Sequence, residues 1–154
     1  MTAEELVRIL RNKGWKLATA ESCTGGLMAG AITDVAGSSD VFDRGFVTYS
    51  NMAKTDMLGV SPKLIVQHGA VSEAVARAMS EGALMHSAAD IAVAITGVAG
   101  PGGGSAEKPV GLVHFACATK SKTIHVEKRF GDLGRAAVRE AAVSQALQLV
   151  LLAL

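Results

Sequence analysis

Four stretches of this chain combine residue types that can do chemistry. The first is Glu21-Ser22-Cys23-Thr24-Gly25-Gly26, where a hydroxyl and a thiol precede two glycines whose missing side chains let backbone N–H groups face a ligand. An apolar stretch of helical type follows to about Val35. Unsatisfied N–H groups and the positive end of a helix dipole are therefore expected at the same place. Such a loop can hold a phosphate or a developing oxyanion. It can equally be a plain helix cap, with Ser22 or Thr24 bonding the first turn. Cys23 is the rival nucleophile, because a thiol near a helix N-terminus can have a lowered pKa. Its alternative is a small buried hydrophobe, and Cys117, set between alanines, reads the same way.

The second stretch, Tyr49-Ser50-Asn51-Met52-Ala53-Lys54, places a phenol, an amide and an amine where a strand gives way to a helix. On composition alone Lys54 reads as a solvated helix residue, as most lysines are. To act as a base it must lose its proton. A normal lysine pKa of about 10.4 leaves well under one part in a thousand neutral at pH 7, and bringing it down by about three pH units costs about 4 kcal/mol. Burial or a neighbouring cation must supply that difference.

The third stretch, Gly97-Val98-Ala99-Gly100-Pro101-Gly102-Gly103-Gly104-Ser105, is too rich in glycine to be regular structure and must be a loop. It matches neither common nucleotide fingerprint: Gly102 is followed by Gly103 where a P-loop needs lysine, and no G-x-G-x-x-G can be placed. Its five glycines in eight residues point to close backbone approach to a ligand, with a structural turn as the alternative. The fourth stretch, Gly131-Asp132-Leu133-Gly134-Arg135, precedes the last helix. Arg135 suits a phosphate or the solvent-exposed surface equally.

The four histidines, His68, His86, His114 and His125, share no i, i+3 or i, i+4 spacing and have no cysteine cluster beside them. No metal and no cofactor are expected. A serine, histidine and acid triad is open on spacing, since its members can come from anywhere in a chain, but nothing singles out one histidine. At 49% hydrophobic and 19% charged residues with a formal net charge of +1, the chain has neither the bias of a disordered protein nor the basic excess of a nucleic-acid binder. No nucleic-acid partner and no membrane partner are expected. The N-terminus is acidic where a signal peptide is basic, and the apolar run Leu149 to Leu154 is far shorter than the roughly 20 residues that span a bilayer. A cytoplasmic location follows as an expectation, consistent with two unpaired cysteines.

The elements that must position these residues follow from local pattern. Thr2 and Glu5 form a capping box ahead of a helix carrying Leu6, Ile9 and Leu10 and closing at Gly14. Strands are predicted over Trp15 to Ala20, Phe46 to Tyr49 and Asp90 to Thr96, and a hairpin over Val110 to Thr119 and Thr123 to Phe130. Helices are predicted over Asn51 to Met57, from Ser72 with Val75, Met79, Ala83 and His86 on one face, and from Leu133 to the end. In that last helix Val143, Ala146, Leu147, Val150, Leu151 and Leu154 form the inward stripe. Helices interleaved with strands of both polarities predict one α/β domain over residues 1–154, a three-layer α/β/α sandwich around a mixed, mostly parallel sheet of about five strands.

Taken together, Ala20 to Gly26, Gly37-Ser38-Ser39, Tyr49-Ser50-Asn51 with Lys54, Gly69-Ala70-Val71-Ser72 and Thr96 to Pro101 resemble the CinA C-terminal family. Its members of assigned activity are nicotinamide-nucleotide amidohydrolases. The resemblance runs from about Lys16 to beyond Arg139. It implies the same three-layer fold and a site using a serine and a lysine instead of a triad, roles that fall on Ser22 and Lys54. The implied substrate is nicotinamide mononucleotide, hydrolysed to nicotinate mononucleotide and ammonia. Thr24, Gly25 and Gly26 are the expected oxyanion donors, and Tyr49 is expected to orient Lys54 or the ring. The loop bearing Thr96, Gly97, Gly100, Gly102 and Gly103, with Arg135, is expected to close on the substrate and its phosphate. Two other readings stand beside this one: a non-catalytic nucleotide-binding or competence-related regulatory module, and a hydrolase using Cys23. A homo-oligomer is expected from the apolar last helix and an uncovered sheet edge.

Overall fold

A computed structural model of the chain describes residues 2–154. Five strands, β1 (Leu17–Glu21), β2 (Phe42–Val47), β3 (Ile91–Gly97), β4 (Leu112–Thr119) and β5 (Thr123–Arg129), form one sheet in the order β2-β1-β3-β4-β5. β1 runs parallel to both β2 and β3, while β4 is antiparallel to β3 and to β5. Four of the five strands therefore point one way, and β4 alone reverses. The mixed, mostly parallel sheet has the expected form.

Six helices cover it: α1 (Ala3–Lys13), α2 (Leu27–Thr33), α3 (Asn51–Leu58), α4 (Pro62–His68), α5 (Glu73–Met85) and α6 (Arg135–Ala153). Strand alternation decides which face each one meets. In β3 the large residues Ile91, Val93 and Ile95 pack with Leu6 and Leu10 of α1, Met28 and Ile32 of α2 and Val138, Ala146 and Val150 of α6. The intervening Ala92 and Ala94, with Ala18 and Ala20 of β1, face Leu58 of α3, Ile65 of α4 and Val75, Met79 and Ala83 of α5. Two apolar layers back to back make the α/β/α sandwich.

Several boundaries differ from the predicted ones for physical reasons. β2 begins at Phe42 instead of Phe46 and ends at Val47. As an edge strand it is half exposed, so Asp43 and Arg44 are tolerated within it. Gly45 is required there, because a Cβ would sit 2.7 Å from Thr19 Oγ1. His86 does not continue the buried face of α5; it caps the helix, with its backbone N–H donating to the Gly82 carbonyl. The buried stripe of α6 is rotated from the predicted one: Val138, Ala142, Leu149 and Ala153 are in the core beside Ala146, Leu147 and Val150, while Val143, Leu151 and Leu154 only flank it. α6 is the one helix among the described residues long and apolar enough to cross a membrane, and here its apolar side packs on the sheet.

Candidate active site

β1, β2 and β3 all end at the same edge, and the order β2-β1-β3, with α2 on one face of the sheet and α3 to α5 on the other, makes a topological switch point beside β1. Crevices form at such switch points, beyond the carboxyl ends of parallel strands. Here the crevice is a cavity of about 540 Å³, within the range of small-molecule sites. Ser22 and Cys23 enter it from the end of β1, Tyr49, Asn51 and Lys54 from beyond β2, Thr96, Gly97 and Gly100 from the end of β3, and Arg135 from the start of α6.

Lys54 reaches the cavity because α3 is fixed just ahead of it. The Ser50 hydroxyl accepts a hydrogen bond from the Ala53 N–H and caps the helix. Helical side chains lean toward the N-terminus, which carries the amine back to the strand end. Lys54 Nζ lies 3.0 Å from Ser22 Oγ, 2.9 Å from the Thr48 carbonyl oxygen and 3.3 Å from the Tyr49 carbonyl oxygen. The side chain is 1% exposed, so the solvated role that composition suggests is overturned. Burial pushes its pKa below the ordinary lysine value, with the Cys23 thiol acting weakly in the opposite direction. Lys54 takes part in none of the ion pairs formed among the described residues. A neutral amine has two N–H donors and one lone pair. In that neutral form, with the two carbonyls taking both donors, the lone pair would be left for the Ser22 hydroxyl.

The helix-dipole expectation at Ser22 needs correction. Met28 and Ala29 at the N-terminus of α2 donate their N–H groups to the two carboxylate oxygens of Glu21, at 2.8 and 3.0 Å. Glu21 is itself buried, so the chain's own carboxylate occupies the place where an anion was expected. Thr24, Gly25 and Gly26 do not line the cavity. The Gly25 N–H closes a tight turn onto the Ser22 carbonyl at 3.0 Å, and Thr24 is fully buried.

Cys23 lines the cavity but is only 6% exposed, and burial pushes its thiol up to about 11. Cys117, in the core, is pushed up to about 12 by the same cause. No histidine lines the cavity, which removes the triad reading. His114 and His125 instead meet each other across the β4–β5 hairpin, Nδ1 to Nε2 at 2.9 Å. The hairpin register brings them within reach, a pairing that sequence spacing alone does not reveal.

The glycine loop does reach the site. Gly97, Gly100, Gly102 and Gly103 all line the cavity, and the left-handed φ of +84° at Gly100 and Gly103 is open to glycine without strain. Arg135 ties this loop to the opposite wall: it donates to the Gly100 carbonyl at 2.8 Å and to the Tyr49 hydroxyl oxygen at 2.9 Å. The Thr96 hydroxyl donates to the Ala70 carbonyl at 3.0 Å, fixing the segment between α4 and α5 against β3. No carboxylate lines the cavity, and its two cationic side chains are Lys54 and Arg135.

The match that decides the relationship covers the whole chain, since the model of the CinA C-terminal domain fits residues 1–154. The chain belongs to the CinA C-terminal domain family. Among its relatives in that family, a nicotinamide-nucleotide amidohydrolase PncC from Enterobacter agglomerans is 53% identical over 147 residues, covering 96% of this chain and 90% of the relative. Its counterpart from Escherichia coli K12 is 51% identical over 146 residues, covering 95% and 88%. A CinA-like protein from Syntrophobacter fumaroxidans is 55% identical over 141 residues, but the match is 33% of that relative's length. The chain thus spans about a third of such longer CinA-like relatives. A crystal structure of a competence/damage inducible protein from Agrobacterium tumefaciens superposes with a TM-score of 0.92 at 54% identity, covering 97% of this chain and 93% of that one.

Proposed function

We propose that the chain is a nicotinamide-nucleotide amidohydrolase that deamidates nicotinamide mononucleotide in pyridine nucleotide recycling, with Ser22 as nucleophile and Lys54 as base. The substrate rests on the amidohydrolase relatives matched over nearly the full length of both partners. The observation that carries the mechanism is the 3.0 Å contact between Lys54 Nζ and Ser22 Oγ in a buried setting.

Neutral Lys54 accepts the Ser22 proton as Oγ attacks the carboxamide carbon. The tetrahedral intermediate collapses when Lys54 returns that proton to the departing nitrogen. Ammonia leaves, and a Ser22 ester of the nicotinoyl group remains. Water then attacks the ester, giving its proton to Lys54, and the Ser22 oxygen leaves and is reprotonated. Nicotinate mononucleotide is the product. The cationic pyridinium ring, held near Lys54, further disfavours the ammonium form in the bound state. Arg135 and the Gly100 to Gly103 turn bind the phosphate, and Tyr49 holds Arg135 in place. Thr96 keeps the cavity wall in register.

Ammonia release from the mononucleotide, assayed with wild-type, Ser22→Ala, Lys54→Met and Cys23→Ala proteins, tests the assignment. Activity is expected in wild-type and Cys23→Ala only, and turnover by Ser22→Ala at the wild-type rate refutes the nucleophile.

A further inference from the structure

Arg139 lies on α6 and takes no part in the reaction just described. Its guanidinium donates from Nε to the Cys23 carbonyl at 3.0 Å and from Nη2 to the Thr24 carbonyl at 3.2 Å. These are consecutive carbonyls of the turn that follows the nucleophile. The same guanidinium packs on Gly25, where an added Cβ would stand 3.5 Å from Nη2. Arg139 takes part in none of the ion pairs among the described residues. Its partners are the two carbonyls.

We propose that Arg139 is a positioning residue for the oxyanion hole of the amidohydrolase, by holding the turn after the nucleophile through its Cys23 and Thr24 carbonyls so that the Cys23 N–H serves the developing oxyanion. The proposal rests on Ser22 being the nucleophile. In a trans peptide the C=O of one residue and the N–H of the next point in opposite directions. Holding the Thr24 carbonyl against Arg139 therefore turns the Gly25 N–H away from the guanidinium, where it meets the Ser22 carbonyl. The Ser22 carbonyl is held in the same way by the Gly25 N–H, which turns the Cys23 N–H away from it. The Cys23 N–H is used in none of the hydrogen bonds of this turn, whereas the N–H groups of Ser22, Gly25 and Leu27 are, and Cys23 lines the cavity. A donor next to the nucleophile is thus left over at the cavity, on a peptide that the turn bond and the guanidinium behind it orient.

This arrangement also explains why an arginine stands there. Two carbonyls in one turn need two donors at a fixed separation, which a guanidinium fork supplies and a lysine ammonium does not. Its charge additionally opposes the partial negative charge of the two carbonyls behind the oxyanion, which would otherwise weaken the hole.

The test is steady-state deamidation of nicotinamide mononucleotide by Arg139→Met and Arg139→Lys, with wild-type and Ser22→Ala run in parallel. Arg139→Met is expected to lose about 10²- to 10³-fold in kcat, the usual effect of spoiling one oxyanion donor, with KM within about threefold of wild type. Free guanidinium at millimolar concentration should restore part of that kcat. Arg139→Lys, which reaches one carbonyl at a time, should fall between the two. Wild-type kcat in both variants, a loss confined to KM, or a native-spectrum variant that guanidinium does not restore overturns the proposal. If Arg139→Met does not fold, the kcat and KM of Arg139→Lys decide by the same criteria. Full turnover by Ser22→Ala would instead sink the nucleophile, a result the Arg139 variants cannot mimic.

Discussion

Lys54 Nζ stands 3.0 Å from Ser22 Oγ with both residues buried and with two main-chain carbonyls as the amine's only other partners. A cation in that position is penalised by the water it has lost and relieved by no carboxylate. The relationship ties the chemistry to one protonation state, and the predictions below test its consequences.

Activity should rise with pH along a limb set by Lys54. Because burial holds its pKa below the ordinary lysine value, the limb in kcat/KM should lie below about 10.4. A profile of initial rates from pH 5 to 10 checks this. A limb at the value of a free lysine would contradict the buried-base account.

The same group makes stability depend on pH. Above the unfolded-state pKa of about 10.4 the amine is neutral in both states and its burial carries no charge penalty. As pH falls from about 10.4 toward the lower folded-state value, the unfolded chain binds the extra proton first and the folded form loses stability relative to it, the loss levelling off below that value. Wild-type protein should therefore gain stability on Lys54→Met as pH rises from 7 to 10, measured by denaturant melts of both. A pH-independent difference between them would show that Lys54 is not the group concerned.

Removing Arg135 should discriminate substrates by their phosphate. Its guanidinium has no carboxylate partner and faces the cavity, and a hydrogen bond to a charged group contributes about 1.5–3 kcal/mol. Arg135→Ala should raise KM for the mononucleotide about 10- to 100-fold while changing that for the riboside little. Equal effects on both would place the phosphate elsewhere.

The fold constrains the base through a distant glycine. A Cβ on Gly82 of α5 would lie 2.0 Å from the Leu58 carbonyl oxygen of α3, the helix that carries Lys54. Gly82→Ala must push α3 away, so a loss of about 1–3 kcal/mol is expected together with reduced turnover. Wild-type stability in that variant would show that α3 and α5 have room to adjust.

The architecture was legible in the sequence where periodicity was strong: the capping box at Thr2, the large–small alternation of Ile91 to Ile95 and the hairpin around Lys120 to Lys122 all took their expected forms. It was illegible where context decides. α4 combines β-branched and straight-chain residues within seven positions and carries no clear period, and the edge strand β2 tolerates charge because one side of it meets water. At the site, Ser22 could be read from its loop, since a hydroxyl at a strand end before glycines is a local signal. Lys54 could not. Its burial comes from α3 packing against α4 and α5 while its amine reaches Ser22 beyond the end of β1, a long-range contact that only the family resemblance anticipated. Glu21 and Arg139 were missed in the same way, because their partners are backbone atoms, which have no signature in the residue alphabet. The residue pattern did hold one hint at Glu21: a carboxylate ending an apolar strand needs donors once buried, and the nearest free ones are at the start of the next helix.

The most direct measurement is mass spectrometry of protein quenched with acid during turnover of nicotinamide mononucleotide. The account predicts a peptide containing Ser22 that carries the substrate less ammonia, with the ester on Ser22 and absent from Lys54→Met. The same adduct mapped to Cys23, or full turnover with no adduct in either wild-type protein or a slowed deacylation variant, would contradict it.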